Sequence, residues 1–212
     1  MPNNLDRLLS IASSPLRPSI PEMPQSLTAR NDRTSELYAM LSKINGFFAF
    51  ESALHVFPLG FGEGLDLESW NSWSLWRSEY EGLPADLFFF AEDGFGHQFA
   101  IHRSSLVLFD PETGTTIDFA PTLEIWAERI LDDYELLTGY PLIHGWQQKH
   151  GPIPADHRLS PRIPFVLGGE YSLANLYLSN SVALMRFGAS LAQQIRNLPD
   201  GTPINLKILG NK

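Results

Sequence analysis

The first periodic signal along the chain is the set Leu37, Met40, Leu41 and Ile44. Spacing of i, i+3, i+4 and i+7 places all four on one face and predicts a helix from about Asp32 to Ile44. Asp32 can cap its free amides, and Asn45-Gly46 ends it because both residues tolerate the left-handed conformation. Phe47, Phe48 and Phe50 then read as a strand or a buried turn. After a Gly60–Gly64 loop, Asp66 is placed to cap a second helix running to about Tyr80, rich in aromatics at Trp70, Trp73, Trp76 and Tyr80. From Leu87 the period shortens. Leu87–Ala91, Gln98–Ile101, Leu106–Asp110 and Thr115–Phe119 read as short strands, the last two joined by Pro111-Glu112-Thr113-Gly114. An antiparallel meander is expected there. Helical spacing returns from Pro121-Thr122 to about Thr138, with Leu123, Trp126, Ile130, Tyr134 and Leu137 on one stripe that would cover a sheet face. Gly139 and Pro141 stop it.

Beyond Pro141 the pattern loosens. A short helix is expected at His144–His150, then a proline-rich stretch, strands at Phe165–Leu167 and around Tyr177, a helix over Ala189–Leu198, and a closing strand at Ile204–Ile208. At the other end, Pro2, Pro15, Pro18, Pro21 and Pro24 predict an extended arm with a short helix around Leu5–Ile11 and few apolar anchors. The expected fold class is α+β: a mainly antiparallel, mixed sheet backed by helices, with a C-terminal α/β extension. The expected organisation is a lead-in arm over residues 1–30, a core over 31–140, and the extension over 141–212 packed on it.

Composition narrows the chemistry. The chain has 212 residues, 43% of them apolar, enough for one sizeable core. There is no cysteine, so disulfides, thiolate nucleophiles and cysteine-ligated metals are excluded. The first residues lack the charged start and apolar run of a signal peptide, and no apolar stretch approaches a membrane span, so the cytosol is the expected compartment and no membrane is expected as a partner. A formal charge of −9 repels phosphate backbones and speaks against nucleic acid as a partner.

No catalytic, cofactor or metal residue is assigned. Glu92 and Asp93 are adjacent on a strand and point to opposite faces, so adjacency does not make them an acid/base pair; beside Gly94 and Gly96 they are expected to shape a turn. The six histidines show no metal-ligand spacing. Gly60-x-Gly62-x-Gly64 lacks the Lys and Ser/Thr of a phosphate loop and carries Glu63. No G-x-S-x-G elbow occurs. Trp70, Trp73 and Trp76 could stack a ligand, but packing in the core is the expected role.

The order of residues resembles a known family. A helix ending in Asn45-Gly46-Phe47 is followed by Trp70, Trp73 and Trp76. Next come Phe89-Phe90-Ala91-Glu92-Asp93-Gly94-Phe95-Gly96 with Gln98-Phe99-Ala100-Ile101, a hairpin, and a helix carrying Trp126. From about Leu37 to Leu137 this resembles the SUKH superfamily, which includes fungal cell-wall-assembly regulators and many bacterial immunity proteins. The resemblance implies an α+β fold and a non-enzymatic binder whose bacterial members neutralise toxins, often nucleases or deaminases. The expected function is a cytosolic immunity protein that occludes a cognate toxin; the alternative is a regulatory scaffold that binds a host protein, and a small hydrolase is the third reading. From charge and expected exposure alone, Glu63, Asp66, Glu68, Glu92, Asp93 and Glu170 are the candidate partner-binding residues.

Overall fold

The computed structural model describes residues 3–22, 32–60, 62–83, 85–199 and 201–202. In chain order the helices are α1 (Asn4–Ser10), α2 (Asp32–Lys43), α3 (Leu67–Trp70), α4 (Leu123–Asp132), α5 (Tyr134–Thr138), α6 (Tyr140–His150) and α7 (Ser181–Ile195). The strands are β1 (Phe47–Ala49), β2 (Leu54–Val56), β3 (Phe88–Asp93), β4 (Gln98–His102), β5 (Ser105–Asp110), β6 (Thr115–Ala120), β7 (His157–Pro161) and β8 (Leu176–Asn180). Strands β1 to β6 form one sheet in sequence order, every neighbour antiparallel, and β7 and β8 pair as a separate antiparallel ribbon. The fold is α+β, and the sheet is antiparallel throughout, with no parallel pair among the described strands.

The meander and the helix after it form where the periodicity placed them. Phe89 and Phe90 of β3 bury completely on opposite faces, so both sides of the central sheet are covered. One side receives Trp70, Trp76 and Tyr80, with Trp76 5.1 Å from Phe89 and Tyr80 edge-on to Phe109. The other receives Trp126 of α4, edge-on to Phe90 and Phe99. Thr122 accepts a hydrogen bond from the Ile125 amide and so caps α4. Gly46, at φ 70°, ends the helical stretch before β1.

Several expectations are corrected. The helix after Asp66 spans only Leu67–Trp70, followed by a 3-10 turn at Arg77–Glu79, and Trp73 lies 52% exposed rather than in the core. The stripe from Leu123 to Thr138 breaks at Asp133, and a helix resumes at Tyr140 instead of stopping, with Pro141 in its first turn, where a missing amide costs nothing. Phe165–Leu167 is a 3-10 turn, not a strand, and β7 runs through the proline-rich stretch that had no strand assigned. Helix α7 begins at Ser181, eight residues before the expected start at Ala189, because Asn180 accepts hydrogen bonds from the Val182 and Ala183 amides. The strand expected at Ile204–Ile208 lies outside the described residues.

The lead-in is anchored where few anchors were expected. Leu8 (0% exposed) and Leu9 (8%) belong to the main core, and α1 packs on α4. Glu124 accepts hydrogen bonds from the backbone amides of Asn4 and Leu5, which places a carboxylate at the positive end of α1. A proline count misses this, because two leucines on one helical turn suffice to dock it.

Between β1 and β2 the backbone makes a turn with φ of 50°, 52° and 71° at Phe50, Glu51 and Ser52. Such angles are costly for residues with a Cβ and persist only where the surroundings fix them. Here α5 and α6 supply the clamp: Phe50 stacks on Tyr134 at 4.7 Å, Gln147 donates to the Glu51 carbonyl at 2.7 Å, and His144 meets the Glu51 carboxylate at 2.8 Å.

Candidate functional site

The two carboxylates ending β3 do point to opposite faces, but both are buried, Glu92 at 1% and Asp93 at 5% exposure. Glu92 lies between its cross-strand neighbours His55 on β2 and Gln98 on β4. His55 Nδ1 is 3.0 Å from Glu92 Oε1, and Gln98 Nε2 donates to Oε2 at 3.2 Å. Trp70 Nε1 in turn donates to Gln98 Oε1 at 2.8 Å. From β7, Arg158 brings a guanidinium nitrogen within 2.7 Å of Glu92 Oε1, both side chains 1% exposed. Burial pushes the Glu92 carboxyl up, but Arg158, His55 and Gln98 outweigh it and hold it below its ordinary value. Burial lowers His55 to about 4, against the pull of Glu92, so His55 is neutral at pH 7. This is a closed, charge-balanced lock between sheet and C-terminal ribbon, with no solvent face to offer a partner.

Asp93 organises the following turn. Its Oδ1 accepts from the amides of Phe95 (2.9 Å) and His97 (2.8 Å), and its Oδ2 lies 2.8 Å from His97 Nδ1. Turn-shaping, expected for both carboxylates, holds for Asp93 and not for Glu92. Gly96 closes the turn at φ 88°, where a Cβ would also come within 2.6 Å of Leu184 on α7. Burial alone would lower His97, but the charge and hydrogen bond of Asp93, helped by Asp110 and Glu112, raise it to about 9.

Ser160 and His97 line one small cavity of about 20 Å³, room for a single water. Asp93, His97 and Ser160 are residue types that a hydrolytic triad needs. Among the described residues, however, no hydrogen bond joins the Ser160 hydroxyl to His97, whose Nδ1 faces Asp93, and a nucleophile needs its base within hydrogen-bond reach. Among the described residues no group of three or more His, Asp or Glu could hold a metal ion.

Beside the Asp93–His97 pair opens a cleft of about 340 Å³. Its apolar walls include Leu108, Leu136, Leu142 and Tyr171, with Asp93, His97 and Glu135 as its ionisable groups and no Lys or Arg in its lining. Leu136 is 75% and Tyr171 61% exposed. Tyr171 is held flat on Phe165 at 3.9 Å and edge-on to Phe95 at 5.9 Å. Glu112 fixes that stack from below by accepting from the amides of Phe165 and Val166 at 3.1 and 2.7 Å. Partial burial raises the Tyr171 phenol, and Asp93, Glu112 and Asp110 push it the same way.

Of the six candidate contact residues, Glu63, Glu68 and Glu170 are exposed. Asp66, Glu92 and Asp93 are not, and this corrects their assignment as contact residues. Asp66 spends its carboxylate as the cap of α3, accepting from the Glu68 and Ser69 amides at 2.8 and 2.9 Å. Glu63 lies on the β2–α3 connection and Glu68 in the first turn of α3, and neither lines the cleft, whereas Glu170 directly precedes Tyr171. His97, Glu135, Leu136 and Tyr171 were not singled out from the sequence. One sign was present: Leu136 is apolar yet lies off the Leu123–Leu137 stripe, so a helix buried along that stripe must expose it.

These features define an α+β protein built on a six-stranded antiparallel meander, locked to a C-terminal ribbon by a buried ion pair. No family model and no curated protein matches the chain. Among solved structures it is similar to Atu4351 from Agrobacterium tumefaciens, with a TM-score of 0.55 and 14% identity over 85% of this chain and 86% of that one. At that identity the likeness shows a shared fold alone.

Proposed function

We propose that this protein is a cytosolic immunity protein that binds a cognate toxin and blocks it by occlusion. The observation that carries the reading is the cleft: large apolar side chains, Leu136 and Tyr171, stand in solvent beside Glu135, with no Lys or Arg in the lining. Exposed apolar groups rimmed by charge mark surfaces that another macromolecule covers. The likeness of Leu37–Leu137 to the SUKH pattern supports the same reading, as does the charge of −9, which suits a partner with a basic substrate groove, such as a nuclease.

The test is co-expression with the product of the neighbouring gene. Cells that express that product alone should die, and this chain should rescue them and copurify with it. A neighbour that is harmless alone, or that kills equally well in the presence of this chain, sinks the immunity reading and leaves the regulatory scaffold in its place.

A further inference from the structure

Resting on the reading that this chain binds another protein, the geometry assigns the occupant of the cleft: we propose that it seats an apolar side chain, aromatic or leucine-like, carried between lysines or arginines on the partner. Shape comes first. The volume of about 340 Å³ falls at the lower end for small-molecule sites, which enclose most of their ligand. With Leu136 75% and Tyr171 61% exposed, the walls of this cleft stand open to water, and a small ligand would keep much of its own surface wet. An anchor residue on a protein does not have that difficulty, because the surface around it excludes water once docked.

Rigidity comes second. The Phe165–Tyr171 stack, the edge of Phe95 and the Glu112 bonds to the Phe165 and Val166 amides hold one wall in place before any partner arrives. A preformed wall lowers the ordering cost of binding.

Charge comes third and sets the flanks of the anchor. Glu135 lies in the lining, Glu170 adjoins Tyr171, and Asp93, Asp110 and Glu112 all act on the Tyr171 hydroxyl, while Asp93 already neutralises His97. A cation beside the anchor gains from Glu135 and Glu170 and can lie over the exposed Tyr171 ring. A carboxylate there meets repulsion.

The experiment uses the full-length chain, labelled with ¹⁵N, and two capped tripeptides, acetyl-Lys-Trp-Lys-amide and acetyl-Glu-Trp-Glu-amide. The lysine peptide should shift the amide signals of Leu136, Gly139 and Tyr171, with a Kd on the order of 1 mM, and weaken as salt rises. The glutamate peptide should bind about tenfold more weakly. Leu136→Ser and Tyr171→Ala, both at exposed positions, should each cut affinity for the lysine peptide by about tenfold while leaving the remaining signals in place. Equal binding of both peptides, shifts confined to residues outside the cleft, or full affinity in both variants would overturn the proposal. The two readings fail separately. Peptide binding in the cleft without rescue in co-expression removes the immunity function and keeps the seat. Full rescue by the Leu136→Ser, Tyr171→Ala double variant keeps the immunity function and overturns the seat.

Discussion

Replacing Arg158 with Met should destabilise the protein by about 3–5 kcal/mol at neutral pH, the cost of leaving a buried charge without its partner. Arg158 and Glu92 are each 1% exposed, so water cannot take over the solvation of the carboxylate once the guanidinium is gone. His55 and Gln98 would remain as its hydrogen-bond partners, and neither carries a charge at pH 7. Adding Glu92→Gln to the same chain removes the stranded charge, and most of the loss should return. Urea unfolding of the single and double variants measures both steps.

The pH dependence gives a sharper reading of the same lock. In the native protein Glu92 is held below its ordinary value of 4.5. Its contribution is therefore present above that value and is lost as pH falls through the folded pKa. In Arg158→Met the main force lowering it is absent, and burial carries the carboxyl above the unfolded value. The folded variant then takes up a proton more readily than its unfolded chain, so its deficit relative to the native protein should shrink as pH falls from 7 toward about 5. A deficit under about 1 kcal/mol at pH 7, or one that stays constant over that range, would refute the claim that an uncompensated carboxylate is the cause.

Other consequences can be checked on the same purified chain. Leu8→Ala should cost about 2–5 kcal/mol in urea unfolding, because Leu8 is fully buried between α1 and the core; a loss within about 0.5 kcal/mol would mean α1 is not docked. Ser52→Gly should stabilise by about 0.5–1 kcal/mol by relieving a φ of 71°, and no gain in the denaturation midpoint would show the turn to be unstrained. His97, raised from 6.5 to about 9, contributes stability that is fully present below pH 6.5 and disappears as pH rises through 9; His97→Gln should remove that alkaline loss, and an unchanged profile would count against the Asp93–His97 pair. His55, lowered to about 4, acts in the opposite window. The unfolded chain takes its proton first, so stability should fall as pH drops from 6.5 toward 4, and His55→Gln should flatten that limb.

What could be read from the sequence follows from how far each signal reaches along the chain. Meander strands β3 to β6 and helix α4 were legible because their apolar period and their turns are local: Leu123, Trp126 and Ile130 declare a face without reference to anything distant. The termini were harder. Helix α1 is short and sits among prolines, and what holds it is distant in sequence: the main core that buries Leu8 and Leu9, and Glu124, 120 residues from the Asn4 amide it accepts. Strand β7 has Pro161 at its end and, among the described strands, pairs with β8 alone, so its pattern did not distinguish it from a loop.

The site failed to appear for a related reason, and the failure bears on where function can reside. Glu92 and Asp93 look like surface charges because carboxylates seldom bury, and the residue that makes burial tolerable for Glu92 is Arg158, 66 positions further on. Once Arg158 claims Glu92, His97 claims Asp93 and the α3 amides claim Asp66, three of the six acidic candidates are committed to the fold, and altering them would change stability together with any binding. Glu63, Glu68 and Glu170 remain as exposed carboxylates from that set, and of these Glu170 adjoins an exposed aromatic. Electrostatic attraction can operate from any exposed charge over about 10 Å at 0.1 M salt, but a well-placed anchor needs apolar contact as well. Glu170→Lys should therefore slow association with the proposed protein partner and weaken the complex, whereas Glu63→Lys and Glu68→Lys should act on the association rate alone. Stopped-flow rates and dissociation rates measured on the three variants separate the cases, and a faster dissociation of the Glu63 or Glu68 variants in place of the Glu170 variant would move the contact face away from the cleft and onto α3 and the connection before it.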